Sequence, residues 1–286
     1  MFVRSLDPAD RAAVDRVTAT LRGTAPLGVA FSGGVDSSVL LALAARAVGR
    51  DRVLALLGVS PSLAGDERTA AHAVAAFLGV RLVEVETREG ERAGYRRNGP
   101  DRCFHCKDEL FTRISEDVAL EHGLAALAYG ENADDARRPD RPGARAATAH
   151  RVLRPLAEAG LDKASVRRIA RALALSCADK PAAPCLASRI PHFEEVDADK
   201  LRQVEAAEAA LRMLGFDDLR VRHHGDVARI ELPVAELTRC VSEPVRSAVH
   251  RAVRSAGFRF VALDLGGVQS GAFTVPFVDP GAGAEA

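Results

Sequence analysis

Four short apolar runs alternate with longer segments of helical periodicity, and that alternation limits the kind of sheet the chain can build. The runs are LGVAF (27–31), RVLALLGV (52–59), RLVEVE (81–86) and LAALAYG (124–130), and the helical pattern lies between them at 37–48, 65–78 and 104–122. Strands separated by helices cannot pair through tight hairpins. They form parallel βαβ units with right-handed crossovers, so an α/β fold is expected: an open parallel sheet with helices on both faces. In such sheets ligands sit at the carboxyl ends of the strands. A further amphipathic helix is expected over residues 8–22, where Ala12, Val14, Val17 and Leu21 recur among charges.

The rhythm breaks near residue 140. RRPDRPGARAATAH (137–150), rich in Arg, Pro and Gly, is expected to be a loop, with a helix following at 162–174. DKPAAPCLASRIP (179–191) sets three prolines around a cysteine and implies an ordered but irregular connection. Beyond it come a helix over 197–214, strands at 219–224 and 227–233, a helix over 244–256 and a strand at 258–266. The expected layout is an α/β domain over 1–190, a small α+β domain over 191–275 and a disordered tail over 276–286.

Composition narrows the function. With 286 residues and 48% hydrophobic content there is ample material for a core. Thirty-nine basic residues balance thirty-nine acidic ones, so no overall field draws the chain to nucleic acid or to an anionic membrane. The first residues are charged, and no apolar run approaches the roughly 18 residues of a membrane span, which gives a cytoplasmic expectation. Cys103, Cys106, Cys177, Cys185 and Cys240 are an odd number, which argues against a disulfide framework and for metal binding or thiol chemistry.

The first strand hands over to the first crossover helix through AFSGGVDSS (30–38). A Gly pair lets the backbone turn sharply and uncovers consecutive amides, which with the following helix N-terminus make a concave anion site at Gly33 and Gly34. Ser32, Ser37 and Ser38 can add hydroxyl donors, and Asp36 can hold a Mg²⁺ that neutralises the same phosphates. The string is neither a Walker loop nor GxGxxG, and it carries far more than the single serine of an ordinary helix cap. It is similar to the PP-loop of the ATP pyrophosphatases, which cleave ATP between the α and β phosphates, form an acyl- or imidoyl-adenylate and let a nucleophile displace AMP.

RCFHCKDELF (102–111) places Cys103 and Cys106 three residues apart, on one face of a helix, where they could chelate a metal or cluster, form a redox dithiol or stay inert. A four-ligand zinc site would need Cys177, Cys185 or His105, and the spacing fits no zinc ribbon. Cys185 stands near Ser188 and Arg189, and a thiol beside a cation ionises more readily. The PP-loop, NGPDRCFHCK (98–107) and DKPAAPCLASRIP combine with GENADD (130–135), RPLAEAGLDKASVRRIA (154–170) and LRVRHHGDVARIELP (219–233). Together they resemble the LarE family of ATP-dependent sulfur transferases from about residue 8 to 275.

The resemblance implies an enzyme that uses ATP and Mg²⁺ to adenylate a carboxylate of pyridinium-3,5-biscarboxylic acid mononucleotide. The carboxylate becomes a thiocarboxylate on the way to the nickel-pincer nucleotide cofactor of lactate racemase. Family members with only the cysteine matching Cys185 give up its sulfur, whereas those that add a CxxC hold a [4Fe–4S] cluster on three cysteines. The resemblance therefore implies a cluster on Cys103, Cys106 and Cys185 whose open iron carries a replaceable sulfide. It also implies that Ser188, Arg189, Arg220 and Arg222 bind the substrate phosphate and that Glu231 lies near substrate or metal.

Its partners would be the small pyridinium nucleotide and a sulfide or sulfur donor, with no nucleic acid or membrane, in a homo-oligomer. Each arginine alone also fits a solvated strand face. Asp134 and Asp135 fit either a nucleotide contact or a helix cap, and Cys177 and Cys240 fit buried apolar positions. The family often has a tryptophan before DKPA, and here Cys177 and Ala178 stand in that neighbourhood. A tRNA thiolase would need a basic surface and further cysteine pairs, and an ammonia-using synthetase or a nucleotide-binding module would leave the three cysteines without a role.

Overall fold

The structure is a computed structural model and describes residues 6–137, 142–181 and 183–268. In chain order the elements begin α1 (Pro8–Leu21), β1 (Leu27–Ala30), α2 (Val35–Val48), β2 (Val53–Val59), α3 (Gly65–Leu78) and β3 (Arg81–Glu86). They continue with α4 (Ala93–Arg96), α5 (Arg102–Arg113), α6 (Ala119–His122), β4 (Ala126–Tyr129), α7 (Ala133–Ala136), α8 (Pro142–Ala149), α9 (Pro155–Glu158) and α10 (Lys163–Ala172). The last are α11 (Ala198–Met213), β5 (Arg220–His224), β6 (Val227–Glu231), α12 (Val234–Val241), α13 (Val245–Ser255) and β7 (Phe260–Leu263). The described residues fall into two compact units, one made of those within 1–89 and 103–183, the other of those within 90–102 and from 184 on.

The first unit is the expected parallel sheet, in the order β3-β2-β1-β4. The chain winds outward from β1 to β3 and then returns to lay β4 on the other side of β1. The crevice between the carboxyl ends of β1 and β4 is therefore the switch point at which such sheets bind ligands. Ala30 pairs with Tyr129, so Phe31 and Gly130 leave the sheet side by side. Helix α2 is apolar almost all round, and its Val39, Leu40, Leu41 and Leu43 are buried with Leu27 and Val29 of β1. Val14, Val17 and Leu21 of α1 join the same core.

Two glycines set the spacing at the switch point. Gly33 has φ +72°, and a Cβ there would lie 2.9 Å from the Cα of Ala71 in α3. At Gly130 a Cβ would lie 2.6 Å from the Ser37 nitrogen and 2.7 Å from the Asp36 carbonyl carbon. The loop after β4 thus touches the first turn of α2 backbone to backbone.

In the second unit β5 and β6 form an antiparallel hairpin across Gly225 and Asp226, with Gly225 at φ +60°, and β7 pairs parallel to β6. Residues 90–102 are fastened within this unit. The buried Asn98 side chain donates to the carbonyls of Ile190 (3.2 Å) and Pro191 (2.7 Å), and Arg102 donates to that of Ala187 (2.9 Å).

One expectation fails. Residues 142–149 are helical rather than loop, because Pro142 opens the helix at a position that needs no N–H, and ARAATA behind it is a strong helix-forming run. Residues 138–141 of that stretch, and the tail expected at 276–286, lie outside the described residues. The helix expected at 104–122 is α5 and α6 joined through a widened π turn at Ile114–Val118. No helix among the described residues is long and apolar enough to cross a membrane.

The Gly130→Ala substitution is expected to cost about 1–3 kcal/mol, because its Cβ meets backbone rather than a side chain that can rotate away. Gly34→Ala, at φ −71° with only the Ser32 hydroxyl within 3.4 Å, should leave stability nearly unchanged. Urea unfolding of the two variants measures the difference.

Candidate active site

The glycine-rich loop is closed on itself by its own hydroxyls. Ser37 Oγ donates to the Gly34 carbonyl at 3.0 Å, and its lone pairs face the Ser32 amide and the Ser32 hydroxyl, each at 3.3 Å. Because the Ser37 proton is spent on Gly34, Ser32 is the donor in the hydroxyl pair. The Gly34 amide lies 3.4 Å from Ser32 Oγ. Of the three serines singled out from the sequence, Ser32 is exposed and Ser37 is buried. Ser38 is fully buried, with a hydroxyl that has no hydrogen-bond partner.

Asp36, one residue into α2, is the hub of the crevice. Its Oδ1 accepts from Asn132 Nδ2 at 3.1 Å and its Oδ2 from Lys163 Nζ at 2.5 Å. Asn132 also caps α7 by accepting from the Asp135 amide at 3.0 Å, while its Nδ2 reaches Asp135 Oδ2 at 3.0 Å. Asp134 accepts the backbone N–H of Lys163 at 2.9 Å. Asn132 is thus the cap, while Asp135 steadies its side chain and Asp134 braces the backbone of Lys163, so that Asp36 is held from both sides. Nearby, Glu131 is buried, with Oε2 lacking a hydrogen-bond partner and Arg154 at 3.7 Å. Asn132 and Lys163 were not singled out from the sequence, although both stand in quoted strings. The signal available was an Asn opening a helix directly after a strand, and a Lys directly after the Asp that caps α10.

The cysteine pair lies on α5 in the same unit. Cys103 is exposed, Cys106 is half-buried, and no disulfide involves either. One residue on, Lys107 Nζ lies 4.2 Å from the ring centre of Tyr129. Since Tyr129 closes β4 beside Ala30, helix α5 reaches the carboxyl edge of the sheet where the glycine-rich loop begins.

Cys185 belongs to the second unit, is exposed, and precedes a short 3₁₀ turn at Leu186–Arg189. Arg189 fixes that turn. Its Nη1 donates to the Pro184 carbonyl (2.7 Å) and to Ser188 Oγ (2.9 Å), while Nε and Nη2 grip the fully buried Glu208 at 2.8 and 3.2 Å. Arg222 makes the same bidentate grip on Glu231 at 3.0 and 2.8 Å and donates to the Ser188 carbonyl at 2.9 Å. Arg220 donates to the Leu219 carbonyl at 2.7 Å and to Asp218 at 3.2 Å. Burial, and next the charge of Arg189, push the Arg220 guanidinium below its ordinary range.

Ser188, Arg189, Arg220, Arg222 and Glu231 are thus brought together in one buried network. The solvated strand face that also fitted Arg220 and Arg222 is not what the structure shows, since both are at most 9% exposed. Glu208, its central acid, was missed because it sits in an ordinary-looking helical EAAEAA run. Cys177 and Cys240 are buried, and burial pushes the Cys240 thiol up. Among the described residues no three His, Cys, Asp or Glu side chains are gathered as a metal-binding group.

A family model described as asparagine synthase matches residues 10–120. An uncharacterized protein of Synechocystis sp. is 40% identical over 243 residues, 85% of this chain and 90% of that protein. The pyridinium-3,5-bisthiocarboxylic acid mononucleotide synthase of Lactiplantibacillus plantarum is 35% identical over 255 residues, 89% of this chain and 91% of that enzyme. The NH₃-dependent NAD⁺ synthetase of Mesorhizobium japonicum is 43% identical over 80 residues, 26% of this chain and 25% of that enzyme.

A parallel sheet that carries this loop on β1, matched in the same region by the asparagine synthase family, defines an ATP-using enzyme of the PP-loop class, whose members work with Mg²⁺. Identity sustained over nearly the whole length goes further: the chain belongs to the LarE family of ATP-dependent sulfur transferases.

Two outcomes follow from the buried network. Glu231→Ala strands Arg222 in the interior and is expected to cost about 3–5 kcal/mol, read by denaturant unfolding. Burial lowers the pKa of His223 and His224 from 6.5, so the folded chain binds fewer protons than the unfolded one below that value. Their contribution to stability is present above about pH 6.5 and lost as pH falls, and a thermal unfolding series from pH 7.5 to 5 should show the decline.

Proposed function

We propose that this chain adenylates a carboxylate of pyridinium-3,5-biscarboxylic acid mononucleotide with ATP and replaces the adenylate by sulfide, yielding a thiocarboxylate for nickel-pincer nucleotide assembly. The observation that carries the reading is the Asp36 crevice. A glycine-rich loop, a helix N-terminus and a carboxylate meet at the switch point of the sheet, with the cysteine helix reaching the same edge. The relative from Lactiplantibacillus plantarum carries the corresponding synthase name.

In this reading the amides of Gly33 and Gly34 and the exposed hydroxyl of Ser32 take the phosphates of ATP, with Ser37 holding the loop through the Gly34 carbonyl and Ser38 buried behind it, and Asp36 would take the Mg²⁺. A substrate carboxylate oxygen attacks the α-phosphorus, the bond to the bridging oxygen breaks, and pyrophosphate leaves with the electron pair. The product is a mixed anhydride. Sulfide then attacks the acyl carbon, a C–S bond forms, the C–O bond to AMP breaks and the thiocarboxylate remains. Ser188, Arg189, Arg220 and Arg222 take the substrate phosphate, and Glu231 sets the guanidinium of Arg222.

Cys103, Cys106 and Cys185 would hold a [4Fe–4S] cluster, a reading supported by their being the three thiols that are not buried, whereas Cys177 and Cys240 are. Bound there, such a cluster would supply an exchangeable sulfide, so that no cysteine sulfur need be consumed. The enzyme is read as cytoplasmic and homo-oligomeric, with a sulfide or sulfur donor as its second partner and no role for nucleic acid.

The test is anaerobic. The chain is reconstituted with iron and sulfide, and iron content and the EPR of the reduced sample are recorded for wild type and for Cys103→Ala, Cys106→Ala and Cys185→Ala. About four irons per chain, lost in each variant, with more than one thiocarboxylate formed per chain in excess sulfide, is the expected result. Loss of the Cys185 sulfur after one turnover in an iron-free chain would make the protein a sacrificial donor instead.

A further inference from the structure

The ammonium group of Lys163 sits on one of the two carboxylate oxygens through which Asp36 would bind a divalent cation. Lys163 Nζ is 2.5 Å from Asp36 Oδ2, and Asn132 donates to the other oxygen at 3.1 Å, so each carboxylate oxygen already has a donor and an ammonium group balances the charge. The backbone at Lys163 is fixed from two directions. Its own amide donates to Asp134 at 2.9 Å, and Asp162 caps α10 by accepting from the Ser165 amide at 2.7 Å. The side chain is not held in this way. Lys163 is 39% exposed and Asp36 18% exposed, so a four-carbon stem on a fixed base can swing its charge away from the carboxylate into the crevice.

Those facts favour an exchange. Mg²⁺ gives up its water reluctantly and is held by one or two carboxylates plus phosphate oxygens, so it competes poorly for a carboxylate that an ammonium group already neutralises. Two cations on one carboxylate also repel each other at a few ångströms. A nucleotide changes the balance, because its phosphates, cradled by the loop one residue before α2, offer the ammonium group a second anion, which lysine binds as a point charge.

We infer that Lys163 is a phosphate-binding residue of the adenylation site that keeps Asp36 closed to free divalent cations and exchanges it for a phosphate oxygen when nucleotide arrives. The inference rests on the ATP-binding reading of the loop. It adds an order to that reading: metal enters with the nucleotide, not before it. Because binding couplings are reciprocal, the metal must tighten nucleotide binding by the same factor.

The measurement is Mn²⁺ binding to the full chain, followed by the EPR signal of free Mn²⁺, with and without a non-hydrolysable α,β-methylene ATP analogue. Wild type is expected to bind Mn²⁺ weakly alone and tightly with the analogue. Lys163→Met should raise the nucleotide-free Mn²⁺ affinity about tenfold while lowering analogue affinity about tenfold, the size of one lost charge-assisted contact. Lys163→Arg should restore the wild-type order, and Asp36→Asn should remove tight Mn²⁺ binding in every background. A merely structural lysine would weaken both affinities together, so a Lys163→Met chain whose nucleotide-free Mn²⁺ affinity is unchanged or lower overturns the inference. If wild type binds the analogue normally, that failure leaves the adenylation reading intact. A wild-type chain that binds no analogue overturns both.

Discussion

The backbone contact between Gly130 and the first turn of α2 is the constraint on which the first unit depends. It is possible only because β4 returns to the free side of β1, so that the strand carrying the glycine-rich loop and the strand carrying GENADD end as neighbours. With no side chain at Gly130, the loop after β4 comes close enough for Asn132 to reach Asp36, and α10 then brings Lys163 to the other oxygen of the same carboxylate. A crevice assembled from three distant stretches of sequence is thereby held within hydrogen-bonding distance. The apolar packing of α2 against β1 supplies the rigid floor, and the polar contacts set what the floor can bind.

The second unit meets a different problem, which is how to bury several arginines without leaving any charge uncompensated. It does so with two carboxylates that have no exposure at all. Glu208 takes Arg189, Arg212 and the amide of Val221, and Glu231 takes Arg222 and Arg229. A buried pair of this kind adds little net stability over an apolar core of equal volume, but it fixes the direction of each planar guanidinium. The turn behind Cys185 inherits that rigidity through the grip of Arg189 on the Pro184 carbonyl and the Ser188 hydroxyl.

Much of the fold was legible because the period of the apolar residues is a local property. LGVAF, RVLALLGV and RLVEVE announce parallel strands, and each is found within a residue or two of its expected limits. The loop expected over 142–149 shows the opposite case: Pro and Gly were weighed as breakers, although proline at the first helical position breaks nothing and the alanines after it decide the conformation. Helix α12 went unnoticed because it is only Val234–Val241 and follows a proline. In the site, SGGVDSS carries its chemistry in consecutive residues and could be found by inspection. Lys163 could not, because its importance lies in a contact 127 residues away. Glu208 was hidden for the same reason, since nothing in EAAEAA tells a buried acid from a solvated one.

The division of the chain has a consequence for its covalent path. The second unit is composed of residues 90–102 together with the described residues from 184 onward, so the polypeptide passes from one unit to the other three times, at 89/90, 102/103 and 183/184. Cys103 is the first residue after the second passage, and Cys185 is the second residue after the third. A fragment beginning at residue 184 would be missing Asn98 and Arg102, and the carbonyls of Ala187, Ile190 and Pro191 would lose their donors just behind Cys185. The two halves are therefore not separable modules that happen to be joined, because the excised strip lies inside the sequence of one unit and belongs to the fabric of the other. A graft that exchanged the carboxyl-terminal half alone would leave residues 90–102 without the carbonyls they hold, so that strip has to travel with the Cys185 turn.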